Sequence, residues 1–232
     1  MKLTCQRSVT AAVRPSPNVM QVAAMFGLGI DEERTIELIP PTDIPVDPHS
    51  VVFVTGASGS GKSTLLNLID DALRPDGDIP FMRFDDPDKP PDVPLVDCFG
   101  DAPLERILHW LSLAGLNDAF VMLRRWAELS DGQRYRFQLA QCMARVTSLS
   151  LDPEQSPSKP TPLAVVLADE FAATLDRLTA AVLARNVRKW VNRTPVCFIA
   201  ATTHDDLLEP FAPDVLVEKH LGQRIEVVTR AD

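Results

Sequence analysis

Gly56-Ala57-Ser58-Gly59-Ser60-Gly61-Lys62-Ser63 fills every fixed position of G-x-x-x-x-G-K-[ST], with Thr64 directly after it. The apolar run Val51-Val52-Phe53-Val54 precedes this stretch, and Thr64-Leu65-Leu66-Asn67-Leu68-Ile69 follows it. The first reads as a strand and the second as a helix. Glycines at these spacings let the backbone wrap an anion and aim its N–H groups inward, while the following helix presents its positive end to the same anion. Lys62 would reach the β- and γ-phosphates of a nucleoside triphosphate, and the Ser63 hydroxyl would ligate Mg²⁺.

Four further segments follow in order. Leu129-Ser130-Asp131-Gly132-Gln133 precedes a helix-like stretch from Arg134 to Arg145. The apolar run Leu163-Ala164-Val165-Val166-Leu167-Ala168 ends in Asp169-Glu170. Then come Ala173-Thr174-Leu175-Asp176 and the strand-like Phe198-Ile199-Ala200-Ala201-Thr202-Thr203-His204-Asp205. Taken singly, each has an ordinary structural meaning: Asp169 a strand-end cap, His204 a loop histidine, Ser130 a helix N-cap. Their order and spacing after the glycine-rich loop resemble those of ABC-type ATPases: LSGGQ signature, Walker B acids, D-loop and H-loop histidine. The resemblance spans roughly residues 20 to 220.

That resemblance implies a P-loop NTPase fold, α/β with a mostly parallel central sheet, and a short helical subdomain carrying the signature. It further implies ATP and Mg²⁺ as ligands and a head-to-tail homodimer with nucleotide sandwiched between protomers. In such a dimer residues Gly56 to Thr64 hold the triphosphate, while Ser63 and Asp169 hold the metal. Ser130, Gly132 and Gln133 of the other copy close over the γ-phosphate. Glu170 orients or deprotonates the attacking water, Lys62 stabilises phosphate charge, and His204 bridges the γ-phosphate to the other copy's D-loop around Asp176. Asp131 departs from the family's glycine, and its carboxylate must turn outward to be tolerated. Phe26-Gly27 lies 36 residues before Lys62. Phe26 is therefore either the family's adenine-stacking aromatic or a core residue. No glutamine stands where the family's Q-loop belongs: Val93-Pro94-Leu95-Val96 reads as the strand there, and Asp97 is the candidate substitute as a metal ligand.

The chain of 232 residues suits one α/β domain, with a net charge of −9. Its apolar runs fall far short of the roughly twenty residues that span a bilayer. Met1 to Met20 is polar, basic and proline-containing, unlike a secretory leader, and the four cysteines have no C-x-x-C spacing. A cytoplasmic protein with free thiols is expected. Residues 1–19 read as a loose basic arm before an ATPase domain over 20–232, with a helical subdomain at about 100–145 and a Pro/Ser-rich insertion at 150–162. Strands are expected at Thr35–Ile39, Phe81–Phe84 and Ile225–Val228, and helices at Leu104–Leu113, Asp118–Leu129 and Leu178–Trp190.

The abbreviated helical subdomain and missing glutamine point away from membrane transport. Several stretches, including Phe26 to Arg34 and Leu129 to Phe137, resemble soluble ABC-type ATPases that occur fused to acetyltransferase-like domains in phages and mobile elements. The expectation is an ATPase switch acting on a separate soluble effector, with nucleic acid as a candidate contact through Arg7, Arg14, Arg124 and Arg125. The alternative is the ATP-binding subunit of a membrane transporter.

Overall fold

A computed structural model of the chain describes all residues except 12–13, 30–33, 75–78, 85–89, 151–162 and 231–232. Eight strands are present: β1 (Lys2–Ala11), β2 (Arg34–Pro45), β3 (Ser50–Thr55), β4 (Phe81–Arg83), β5 (Ala164–Ala168), β6 (Val196–Ala201), β7 (Val215–Lys219) and β8 (Ile225–Thr229). The helices are α1 (Pro17–Phe26), α2 (Lys62–Leu73), α3 (Leu104–Leu113), α4 (Ala119–Met122), α5 (Asp131–Ser150), α6 (Arg177–Val191) and α7 (Leu208–Phe211).

The main sheet runs β4-β5-β6-β3-β7-β8, parallel throughout except for the antiparallel β7–β8 pair. Period-two alternation sorts its residues between two cores. Phe53, Val166, Ala168 and Phe198 face one side, with α3, α5 and α6. Val52, Val54, Val165, Leu167 and Ile199 face the other, with Leu65, Leu66 and Ile69 of α2. Covered on both faces, β3, β5 and β6 are buried along their whole length, which is why they read as continuous apolar runs.

Residues 2–11 are not a loose arm: they form β1, paired antiparallel with β2. Leu3 and Cys5 alternate with polar neighbours and bury themselves in the α2-side core. The expected boundary at residue 19 falls inside α1, whose N-terminus is capped by the Ser16 hydroxyl accepting from the Val19 amide, with Pro17 in the first turn. The strand expected at Thr35–Ile39 extends past Pro40 and Pro41 to Pro45.

The helix expected over Asp118–Leu129 breaks after α4. There the Arg124 carbonyl accepts from the Leu95 amide, and Arg125 makes an isolated antiparallel bridge to Pro94. Val93–Val96 is accordingly no strand; beyond that bridge the chain enters a 3-10 turn at Leu95–Phe99. The insertion lies outside the described residues apart from Ser150, which ends α5. All four cysteines are free, and burial pushes the Cys142 and Cys197 thiols up to about 12.

Candidate functional site

Because β5, β6, β3 and β7 lie side by side and parallel, their carboxyl ends form one edge of the molecule, the usual ligand edge of such sheets. Four loops start there: Asp169-Glu170 after β5, Thr202–Asp205 after β6, Gly56–Gly61 after β3, and the turn after Lys219 of β7.

The β3 loop is shaped by its glycines. Gly56 has φ +140°, and a Cβ there would stand 2.0 Å from the Lys219 carbonyl oxygen, so no other residue fits. Gly61, at φ +106°, occupies the N-cap of α2 and offers no side chain to the first-turn amides. Those amides are therefore directed at the loop, as an anion site requires. Ala57, Ser58, Gly59 and Ser63 are exposed, Gly56, Gly61 and Thr64 partly covered, and Ser60 and Lys62 buried. The Ser60 Oγ has no hydrogen-bond partner. The Lys62 Nζ folds over the loop and donates to the Gly56 and Ala57 carbonyls at 2.8 and 2.9 Å.

Burial lowers the pKa of Lys62, while the charges of Asp169, Glu170 and Asp205 oppose that shift. The charges of three acids from two loops thus act on one ammonium. Asp205 was not singled out in the sequence; it also accepts from Thr55 Oγ1 at 2.5 Å, linking the ends of β3 and β6. An acid following the strand-end histidine was the available signal. The Asp169 carboxylate accepts from the Glu170 amide at 3.0 Å, and Glu170 adopts a left-handed φ of +47° with an exposed side chain. His204 is half-buried, its amide held by Thr202 Oγ1 at 3.2 Å.

The signature residues open α5. Ser130 and Gln133 form a reciprocal cap: the Ser130 amide donates to Gln133 Oε1 at 3.0 Å, and the Gln133 amide to Ser130 Oγ at 3.4 Å. Asp131 turns outward and pairs with Arg134 at 3.3 Å. At Gly132 a Cβ would meet Leu175 of the D-loop segment at 3.1 Å, so that segment packs on the signature of its own chain. Asp176 caps α6 through the Thr179 amide at 2.9 Å, and this hydrogen bonding lowers its pKa. A further tie, absent from the sequence reading, is the Tyr135 hydroxyl accepting from the Ala172 amide at 2.7 Å, which joins α5 to the loop after β5.

Two expected residues stand apart. Asp97 is exposed on its 3-10 turn, is not among the acids acting on Lys62, and belongs to no three-residue metal-ligating group among the described residues. Phe26 ends α1 with 74% of its surface exposed, which excludes the core reading.

No protein-family model and no curated protein matches the sequence. Solved structures do. The chain superposes on the ATP-binding cassette MJ0796, described as a dimer bound to ADP and Pi in a post-hydrolysis state, with 16% identity and a TM-score of 0.56 over 99% of this chain and 100% of that one. It matches cbiO1 from Clostridium perfringens, part of the ABC transporter complex cbiONQ, at 16% identity and TM-score 0.58 over 83% and 82% of the two chains. A nucleotide-free cassette from an ABC transporter matches at 15% and 0.58 over 100% and 92%. The chain has the fold of the ATP-binding cassettes.

Proposed function

We propose that this chain is an ATPase that binds ATP at the loop after β3 and hydrolyses it between two copies of itself. The observation that carries the reading is Lys62 folded over a glycine-shaped loop at the uncapped N-terminus of α2, with the charges of Asp169, Glu170 and Asp205 acting on it. An anion-binding backbone, a phosphate-seeking ammonium and an exposed carboxylate able to act on water are the three parts phosphoryl transfer needs. The donors suit Mg²⁺ as well: Ser63 and Asp169 offer hard oxygen atoms at this edge, and the ion would neutralise phosphate charge there. Glu170 acts as the base, His204 reaches the terminal phosphate, and Ser130, Gly132 and Gln133 serve the site of the second copy.

Lys62→Ala tests the reading. Removing the charge nearest the β- and γ-phosphates should weaken ATP binding by at least two orders of magnitude in calorimetry, with circular dichroism unchanged. Unaltered affinity would overturn the nucleotide site.

The engine's load is a separate protein. No helix among the described residues is long and apolar enough to cross a membrane. The helical subdomain exposes Phe120 at 80% and Leu123 at 65%, apolar side chains suited to a protein partner. A soluble effector is the first reading. The transporter reading is favoured by the same apolar pair, and by neighbours described as transporter cassettes. Co-purification separates the two: a polytopic membrane protein supports transport, a soluble enzyme the switch.

A further inference from the structure

Lys219 ends β7 beneath the phosphate loop and is 1% exposed. Its carbonyl oxygen confronts Gly56, as described, and its Cε lies 3.7 Å from the point where a Cβ on Gly61 would stand. The residue therefore touches both ends of the loop. Its Nζ donates to the carbonyls of His220 at 2.8 Å and Gly222 at 2.6 Å, which tie it to the β7–β8 turn.

The charges of three acids act on Lys62, but among the described residues no carboxylate pairs with Lys219. Burial lowers its pKa with no acid opposing the shift. A covered ammonium balanced only by carbonyl dipoles is unfavourable unless its charge serves something else. Ser60 adds an independent sign: it is 6% exposed, its Oγ lacks a partner, and that atom sits 3.1 Å from the Gly56 Cβ point. Two buried ammonium groups, a buried unpartnered hydroxyl and an uncapped helix end are together complementary to a strongly charged anion.

We propose that Lys219 is a second cation of the phosphate site, a positioning residue whose carbonyl sets the bend at Gly56 and whose uncompensated charge favours a polyphosphate in the loop. The inference rests on the nucleotide reading above and deepens it. Lys219 acts from beneath the loop without touching the ligand, so its contribution follows Coulomb's law and grows with the ligand's charge. It also ties loop occupancy to the β7–β8 turn.

The test measures calorimetric affinities of inorganic triphosphate, pyrophosphate, ATP and ADP for wild type, Lys62→Ala, Lys219→Met and Lys219→Gln. Methionine keeps length and burial without charge; glutamine keeps N–H donors for the two carbonyls. The glutamine variant should melt near the wild-type temperature and the methionine variant somewhat below it, since methionine leaves the two carbonyls without a donor. They should lose about tenfold or more for triphosphate and ATP, and distinctly less for pyrophosphate and ADP. An equal loss for all four ligands would make Lys219 a neutral clamp and overturn the charge role. Wild-type affinities in both Lys219 variants, with binding lost in Lys62→Ala, would sink this inference alone. A wild type that binds none of the four would sink the nucleotide reading and this inference with it.

Discussion

Tyr135 shows how a single hydroxyl can set the geometry of the loop after β5. Ala172 is fully buried, has φ +57° and points its amide at the Tyr135 oxygen. Tyr135→Phe leaves that amide without its acceptor inside the core, a change that costs about 1–3 kcal/mol. Urea denaturation should register that loss. ATP hydrolysis should fall further than ATP binding, because the loop carries Glu170 and not the phosphate-binding amides. A variant with wild-type stability and turnover would show that the bond does not hold the loop. The placement of Lys62, Asp169, Glu170 and His204 at the carboxyl edge of the sheet was legible from the sequence because each follows a strand in a local pattern. Asp205, Tyr135 and Lys219 were not. Their placement follows from β6 and β7 flanking β3 and from the Tyr135 hydroxyl meeting the Ala172 amide, neighbourhoods that chain order does not state.

The same contrast holds for whole elements. Strands β3, β5 and β6 announced themselves through unbroken apolar runs, since both faces of a parallel sheet are covered. Strand β1 hid because only Leu3 and Cys5 turn inward, set between the polar Lys2, Thr4 and Gln6. The segment 118–129 misled because helical spacing was present, while the pairing of Arg124 and Arg125 with Pro94 and Leu95, some thirty residues earlier, won the backbone. At α5 the local signal and the structure agree: Ser130 three residues before Gln133 is a capping pattern and forms one. Ser130→Ala removes the oxygen serving the Gln133 amide and should destabilise the protein by about 1 kcal/mol, within the range for such caps. Gln133→Ala removes the other half and should give a comparable loss. If neither changes the denaturation midpoint, the cap contributes nothing to α5 and Ser130 is kept for ligand contact alone.

Across the molecule, charge and exposure decide what the site can do alone. The arginines near the signature are mostly engaged at home: Arg134 with Asp131 and two carbonyls, Arg136 with the Gly132 and Gly115 carbonyls, Arg125 with Asp92. Of the four arginines expected as nucleic-acid contacts, Arg125 pairs with Asp92, while Arg7, Arg14 and Arg124 are exposed. Residues Ala57 to Gly59, Ser63, Glu170 and Ser130 are all exposed, so on the proposed function one copy would wrap a triphosphate from one side only. Two copies arranged head to tail, as the resemblance to ABC-type ATPases implies, would bring the second Ser130 over the open side. Repulsion between two acidic copies opposes that closure, and bound ATP with Mg²⁺ must overcome it. Glu170→Gln should hold the closed form: the amide fills the same space but cannot accept a proton from water, so ATP is bound and not consumed. The variant should elute as a dimer with ATP and Mg²⁺ and as a monomer without them. The dimer should strengthen with moderate salt, which screens the repulsion over about 10 Å at 0.1 M while reaching buried contacts less. Adding Lys62→Ala to the same protein should abolish the dimer, because the nucleotide joining the copies is no longer held. A Glu170→Gln protein that stays monomeric with saturating ATP and Mg²⁺ would rule out hydrolysis between two copies while leaving the nucleotide site itself intact.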